Sequence, residues 1–422
     1  MEPRTIPAGR WVHGEARPPG SKSATHRVLN LALLAGRPIV VEHPLEAEDT
    51  LLFRAALESL GWSVEIGDDN WRLTPGVLPA RAEILCGNAG TMFRFLVATL
   101  ATLPGEWVLD GVARLRERPV GPLLEAMSQL GARIESLGLA GHAPLRIHGG
   151  SFEGGRSRLD AGESSQYLSA ILMAGLRALS PTELELSALT SEPYVDLTRE
   201  AIAVFGGQVE NSGPVWRVSP AADLGQDRVA VEGDWSAACY PAAAAALAGE
   251  IAIRGVGSNS RQGDRGFLGV LRTMGAVVET GDGGVIVRRG ELAGIDTDLS
   301  AMPDQVPTLA ALAPFARGTT EIRNVAHLRI KESDRLSAMA DGLRALGVPV
   351  DERRDGLSIR GVWADRTPPG DTVLIDPRGD HRIAMAFALV GIRRPGVRIS
   401  QPEVVAKSYP RFWSDLDRWL EA

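Results

Sequence analysis

Cysteine is nearly missing from this chain. Only Cys86 and Cys239 occur in 422 residues, with no CxxC spacing, so neither a disulfide framework nor a zinc site is expected. Positive charge is also in short supply. Lys and Arg number 45 against 52 Asp and Glu, for a net charge of −7 and a sequence pI near 5.6. That balance argues against general binding to nucleic acid or to an anionic membrane. No apolar run is long enough to span a bilayer, and the opening MEPRTIPAGR has no apolar h-region. The expectation is a soluble cytoplasmic protein. There is no HExxH, the seven His are scattered, and no GxSxG elbow exists, so a metal hydrolase is not expected. What is present is 44% hydrophobic and 23% charged sequence, enough for two or three ordinary globular domains.

The stretch PPGSKSATHR (18–27) resembles a phosphate-binding loop, but the pattern G-x-x-x-x-G-K-[ST] is not met. Glu15 stands five residues before Gly20, and Lys22 follows Ser21 rather than Gly. An ATP site is therefore poorly supported. Exposed N–H groups at a helix start, with a Lys and two hydroxyls, still suit an anion. An ordinary Ser N-cap with a solvated Lys explains this stretch alone equally well.

A phrase of apolar residue, Gly, two residues, apolar residue and acid recurs along the chain. It reads LGWSVE, LGARIE, FGGQVE, MGAVVE and LGVPVD, with glycines at 61, 131, 206, 275 and 347. Each follows an amphipathic helical pattern, where Gly is a stop signal, and precedes strand-like pairs. A second series of Ala-rich, all-round apolar helices begins near Ser21, Asn88, Ser164, Asp234, Asp304 and Asp380. Helices of that kind are buried. Six units of about 70 residues follow, each with a buried helix, an amphipathic helix and strands. The N-terminal strand pattern RTIPAGRWVHGEARP looks like the missing end of the sixth unit.

Polar residues gather at the starts of the buried helices: GSKSATHR, GNAGTMFR, GESSQY, GDWSAACY, MPDQVPT and GDHRIAM. Six helices need six caps, which accounts for Ser, Asp and Asn. Capping does not account for Lys22, Arg27, His381 and Arg382, because cations are disfavoured near a helix N-terminus unless an anion offsets them. A second set opens the amphipathic helices: RERPVG, SEPY, RQGD, RIKESDR and AKSYP. RIKESDR is expected to place Lys331, Glu332 and Arg335 within about one helical turn.

This ordered set resembles the 5-enolpyruvylshikimate-3-phosphate synthase family (3-phosphoshikimate 1-carboxyvinyltransferase), and the match runs over nearly the whole chain. The resemblance implies an α/β fold of two domains, each of three βαβαββ repeats, an inside-out α/β barrel of the enolpyruvyl transferase type. The domains would be 21–234 and 1–20 with 235–422, with the active site in the cleft between them. It implies transfer of the enolpyruvyl group of phosphoenolpyruvate to the 5-hydroxyl of shikimate 3-phosphate, releasing phosphate. That is the sixth step of the shikimate pathway to chorismate and aromatic amino acids. Both substrates are small molecules, and no cofactor or metal is implied. A cytoplasmic monomer without nucleic-acid or membrane partners is expected.

By motif position the resemblance implies roles for individual residues. Lys22, Asp304 and Glu332 would be catalytic. Asp304 would orient or deprotonate the 5-hydroxyl, and Glu332 would exchange a proton with C3 of phosphoenolpyruvate. Lys22, Gly90, Arg118, Gln166, Arg335, Arg382 and Lys407 would bind phosphoenolpyruvate. Lys22, Ser23, Arg27, Ser164, Ser165, Gln166, Ser191, Asp304, His327 and Lys331 would bind shikimate 3-phosphate. Met92 and Phe95 stand where members commonly have a small residue and Pro, Trp235 where a small residue is usual, and His327 where some have Asn. Glyphosate, which competes with phosphoenolpyruvate in this family, is expected to bind. The rival is UDP-N-acetylglucosamine enolpyruvyl transferase, of the same fold, but that family carries a Cys in the loop matching VARLRERPVG and this loop has none. A non-catalytic sugar-phosphate sensor of the same fold would gain nothing from keeping both Asp304 and Glu332.

Overall fold

All five glycines of the recurring phrase adopt positive φ, from 82° at Gly347 to 111° at Gly275. Each lies just past an amphipathic helix, in the left-handed conformation that ends a helix without a Cβ penalty. The computed structural model describes residues 2–281 and 283–421. The chain divides into two units: Gly20–Val231, and Met1–Pro19 together with Glu232–Ala422. The division falls after Pro19 and Val231, whereas the sequence suggested 20–21 and 234–235. Asp234 goes with the second of these units, where its side chain caps the helix that follows by accepting from Ala237 N at 2.8 Å.

The unit Gly20–Val231 contains α1 (Lys22–Ala35), α2 (Glu48–Ser59), α3 (Gly90–Thr102), α4 (Ala113–Glu117), α5 (Gly121–Gln129), α6 (Gln166–Gly175) and α7 (Pro193–Val204). Helices α1, α3 and α6 pack on one another through Leu29, Phe93, Leu96, Tyr167 and Leu172, all buried. Complete burial of one such side chain is worth about 1.5–3 kcal/mol. Around them, among the described residues, lie three four-stranded sheets built to one plan. In one, Arg81–Leu85 runs parallel to Glu106–Asp110, which pairs antiparallel with Leu145–His148, and that strand with Arg133–Ser136. Gly155–Ala161, Thr182–Leu189, Val215–Val218 and Val209–Ser212 repeat the plan. In the remaining sheet the parallel partner of Ile39–Glu42 is Arg228–Ala230, from the far end of the unit.

The other unit has α8 (Trp235–Ala248), α9 (Phe267–Met274), α10 (Val306–Leu312), α11 (Arg335–Ala345), α12 (His381–Arg393) and α13 (Phe412–Leu420). Helices α8, α10 and α12 form its centre. The N-terminal segment closes two of its sheets rather than one. Arg4–Thr5 pairs antiparallel with Val397–Ile399 of the sixth repeat, as the pattern suggested. Glu15–Ala16 instead runs parallel to Glu250–Ile253 of the fourth repeat. No helix among the described residues is long and apolar enough to cross a membrane.

Candidate active site

The starts of the buried helices differ from the sequence reading in detail. Ser21 caps α1, accepting from Ala24 N at 3.4 Å, and Asp380 caps α12, accepting from Arg382 N at 2.9 Å. Asn88 and Ser164 each lie one residue before the cap position, which Ala89 and Ser165 occupy. Ser164 Oγ still accepts from Gln166 N, at 3.3 Å. Asp304 sits in a 3₁₀ turn, Pro303–Gln305, that leads into α10.

In the unit Gly20–Val231, Lys22 Nζ stands 3.3 Å from Asp49 Oδ2, a buried carboxylate in the first turn of α2. Arg27 lies one turn further along α1, buried. It donates to Thr198 Oγ1 (2.8 Å), Ser23 O (2.8 Å) and Tyr194 O (2.6 Å), and its guanidinium lies 5.3 Å from the Phe95 ring centre. All of these partners are neutral. Burial pushes the Arg27 pKa down to about 10. A buried cation without a counter-charge is expensive, and a bound anion removes that cost. Arg94 Nη1 donates to Gly90 O (3.2 Å) and Gln166 Oε1 (3.1 Å), and Gln166 Nε2 donates to Thr91 Oγ1 (2.8 Å). Those bonds hold the Gln166 side chain between the starts of α3 and α6.

Gly90 opens α3 directly under the buried Arg118, whose Nη1 donates to Asn88 O at 3.4 Å. A Cβ at position 90 would lie 2.6 Å from Cζ and from both Nη atoms of Arg118. Only glycine lets the guanidinium rest there. Ser164, Ser165 and Ser191 are buried, and Ser191 has a φ of 52° just before α7. That is a strained conformation for a non-glycine residue.

In the other unit, the buried guanidinium of Arg335 gathers three carboxylates. Its Nε donates to Asp380 Oδ2 (2.8 Å), Nη1 to Asp304 Oδ1 (2.8 Å) and Nη2 to Glu332 Oε2 (2.9 Å). A longer Nη2 contact reaches Asp380 Oδ1 at 3.4 Å. Burial alone would lower the Arg335 pKa, but Asp380, Glu332 and Asp304 outweigh it and hold it above its ordinary value. Asp304 Oδ2 accepts from Arg382 Nη2 at 2.6 Å. The two proposed acid–base carboxylates therefore share one cation. Four of the five Arg335 N–H groups are engaged in this way, so Arg335 mainly orients carboxylates, with one donor left for a ligand.

RIKESDR does not form a single helical turn. Asp334 accepts from Ser337 N at 3.0 Å and caps α11, so the helix starts at Arg335 and leaves Lys331 and Glu332 in the preceding loop. His327 is nearly buried, and its Nε2 has no hydrogen-bond partner among the described residues. Burial first, then the Lys331 and Arg335 charges, push its pKa down to about 3. Lys407, itself buried, ends a 3₁₀ turn, Pro402–Lys407, packed on α12.

Several residues that shape these clusters were not anticipated. Asp380 underlies Arg335, and Asp49 partners Lys22. Asp264 is buried in the α8 region, where Ser236 Oγ donates to it. Burial and the nearby Asp304 charge push Asp264 up to about 6. The GDHR and RQGD motifs contain Asp380 and Asp264, but nothing in EAEDT marks Asp49. Phe95 and Met92, the departures noted in α3, are fully buried. No group of three or more His, Cys, Asp or Glu able to hold a metal ion occurs among the described residues.

Residues 6–416 match the family model described as EPSP synthase (3-phosphoshikimate 1-carboxyvinyltransferase). A 3-phosphoshikimate 1-carboxyvinyltransferase of Syntrophobacter fumaroxidans is 43% identical, covering 98% of this chain and 99% of that protein. One from Pseudoalteromonas translucida is 41% identical, covering 96% of each. The fold is similar to a solved EPSP synthase of Acinetobacter baumannii, with a TM-score of 0.79 and 30% identity over 99% of this chain and 97% of that one.

Proposed function

The chain belongs to the EPSP synthase (3-phosphoshikimate 1-carboxyvinyltransferase) family, and from that premise we propose how its own residues divide the reaction. The enzyme transfers the enolpyruvyl group of phosphoenolpyruvate to the 5-hydroxyl of shikimate 3-phosphate. The hydroxyl oxygen adds to C2 of phosphoenolpyruvate while C3 takes up a proton. The tetrahedral adduct then loses phosphate and a C3 proton.

The reading is carried by one observation: Asp304 and Glu332 are held by the same buried Arg335. Asp304, fixed also by Arg382, orients the 5-hydroxyl and accepts its proton. Glu332 protonates C3 and later takes the proton back. Lys22 serves as acid–base partner and anion ligand to both substrates, with Asp49 steadying its amine. Arg27, buried among neutral acceptors, supplies charge for shikimate 3-phosphate, with Ser23, Ser164, Ser165, Gln166, Ser191, His327 and Lys331 completing that set. Arg118 over Gly90, with Arg382, Lys407 and the remaining donor of Arg335, binds phosphoenolpyruvate. Preorganised cations of this kind stabilise the charge that develops in the adduct. The proposal extends to a cytoplasmic monomer acting on small molecules alone.

The test is phosphate release. It should require both shikimate 3-phosphate and phosphoenolpyruvate, with no added metal or nucleotide. Release with UDP-N-acetylglucosamine as acceptor, and none with shikimate 3-phosphate, overturns the reading.

A further inference from the structure

A recess of about 450 Å³ lies in the unit that carries Arg335, bordered by Trp11, Leu247, Arg289, Phe315, Arg317 and Arg393. It is not the site described above. Arg382 lies in the first turn of α12 and Arg393 closes it, which separates them by roughly 17 Å along the helix. Leu247 likewise lies in the last turn of α8, at the opposite end from the Asp234 cap. The recess therefore sits at the opposite end of α12 from the proposed site residue Arg382.

Its charge is unusual. Arg317 is neutralised, with Nη1 2.9 Å from Glu291 and Nη2 2.9 Å from Asp365. Arg289 and Arg393 have no carboxylate partner among the described residues. Arg393 is fixed: its Nη1 donates to Leu247 O at 3.0 Å, and its guanidinium lies 5.4 Å from the Phe315 ring centre. The Arg289 side chain makes no hydrogen bond or ion pair among the described residues. Burial and the neighbouring Arg289 charge lower the Arg393 pKa, as two cations sharing one recess require. An anion between them would remove that repulsion and accept hydrogen bonds from both guanidinium forks. The indole of Trp11, 57% exposed, lines the same recess and offers a flat apolar face. Recess volume, two cations without carboxylate partners and an open aromatic face suit a small-molecule site.

We propose that this recess is a second binding site, taking a small planar carboxylate with its acid group between Arg289 and Arg393 and its ring against Trp11. Calorimetric titration with 4-hydroxybenzoate in a phosphate-free buffer tests this, with the catalytic site occupied by saturating shikimate 3-phosphate. One saturable event is expected. Arg289→Ala should weaken it about tenfold or more, the loss of a charge-assisted contact, without changing turnover or thermal midpoint. Trp11→Ala should weaken 4-hydroxybenzoate but not acetate. Absence of saturation below about 10 mM, undiminished binding in Arg289→Ala, or equal affinity for acetate would each overturn the proposal.

Discussion

Adding one methyl group at position 90 should separate catalysis from stability. In Gly90→Ala the new Cβ would lie 2.6 Å from the Arg118 guanidinium carbon and both its terminal nitrogens, where ordinary contact begins at 3.4 Å. Something must therefore move by about 0.8 Å. The guanidinium is the softer partner, being the far end of a flexible side chain, whereas the backbone of Gly90 is built into α3. The φ of Gly90 is not positive, so alanine fits the backbone. Removing glycine's extra freedom in the unfolded chain stabilises by about 0.4–1 kcal/mol. On the proposed placement a displaced Arg118 would lose one charge-assisted bond to phosphoenolpyruvate, worth about 1.5–3 kcal/mol. The KM for phosphoenolpyruvate should then rise by roughly tenfold to a hundredfold, while the KM for shikimate 3-phosphate moves little. Steady-state kinetics with each substrate varied, beside a thermal melt, reads both effects. An unchanged phosphoenolpyruvate KM would refute the placement of Arg118 on that substrate. A fall of several degrees in the melt would mean that backbone, not Arg118, had yielded.

Glu332→Gln should cut turnover by about two orders of magnitude or more while shikimate 3-phosphate still binds in calorimetry; near-normal turnover removes Glu332 from the proton steps. Burial holds the thiols of Cys86 and Cys239 well above the ordinary range, so Cys86→Ala with Cys239→Ala should keep activity. A folded but inactive double variant would revive a cysteine-dependent mechanism. Acid should destabilise the protein through His26, whose pKa burial lowers to about 4. Between its unfolded value near 6.5 and 4 the unfolded chain binds more protons, so stability is present above 6.5 and falls as pH drops, by about 3 kcal/mol in all. His26→Gln should flatten the urea midpoint between pH 6.5 and 4, and an unaltered slope would exclude His26 as a source of the acid loss.

The repeat architecture was legible because its signals are local. A 3.6-residue apolar period and a glycine that must turn left-handed are properties of ten or fifteen consecutive residues, and Gly61, Gly131, Gly206, Gly275 and Gly347 all do so. The same locality let the motif set single out Lys22, Asp304, Glu332 and Arg335, whose roles only the family resemblance implies. Their partnerships were not legible. Arg335 joins Asp304, 31 positions back, to Asp380, 45 positions ahead, and Lys22 finds Asp49 in another helix. Glu15–Ala16 went to the fourth repeat instead of the sixth because two-residue strands carry too little pattern to choose a partner. The start of α11 at Arg335, by contrast, was a local signal that the sequence reading missed: Asp334 takes the Ser337 N–H and leaves Glu332 outside the helix. Helix caps and turns cost or gain about 1 kcal/mol within one segment, so the chain itself shows them. Which buried charge meets which is decided when packing removes water from both, and only the folded structure carries that information.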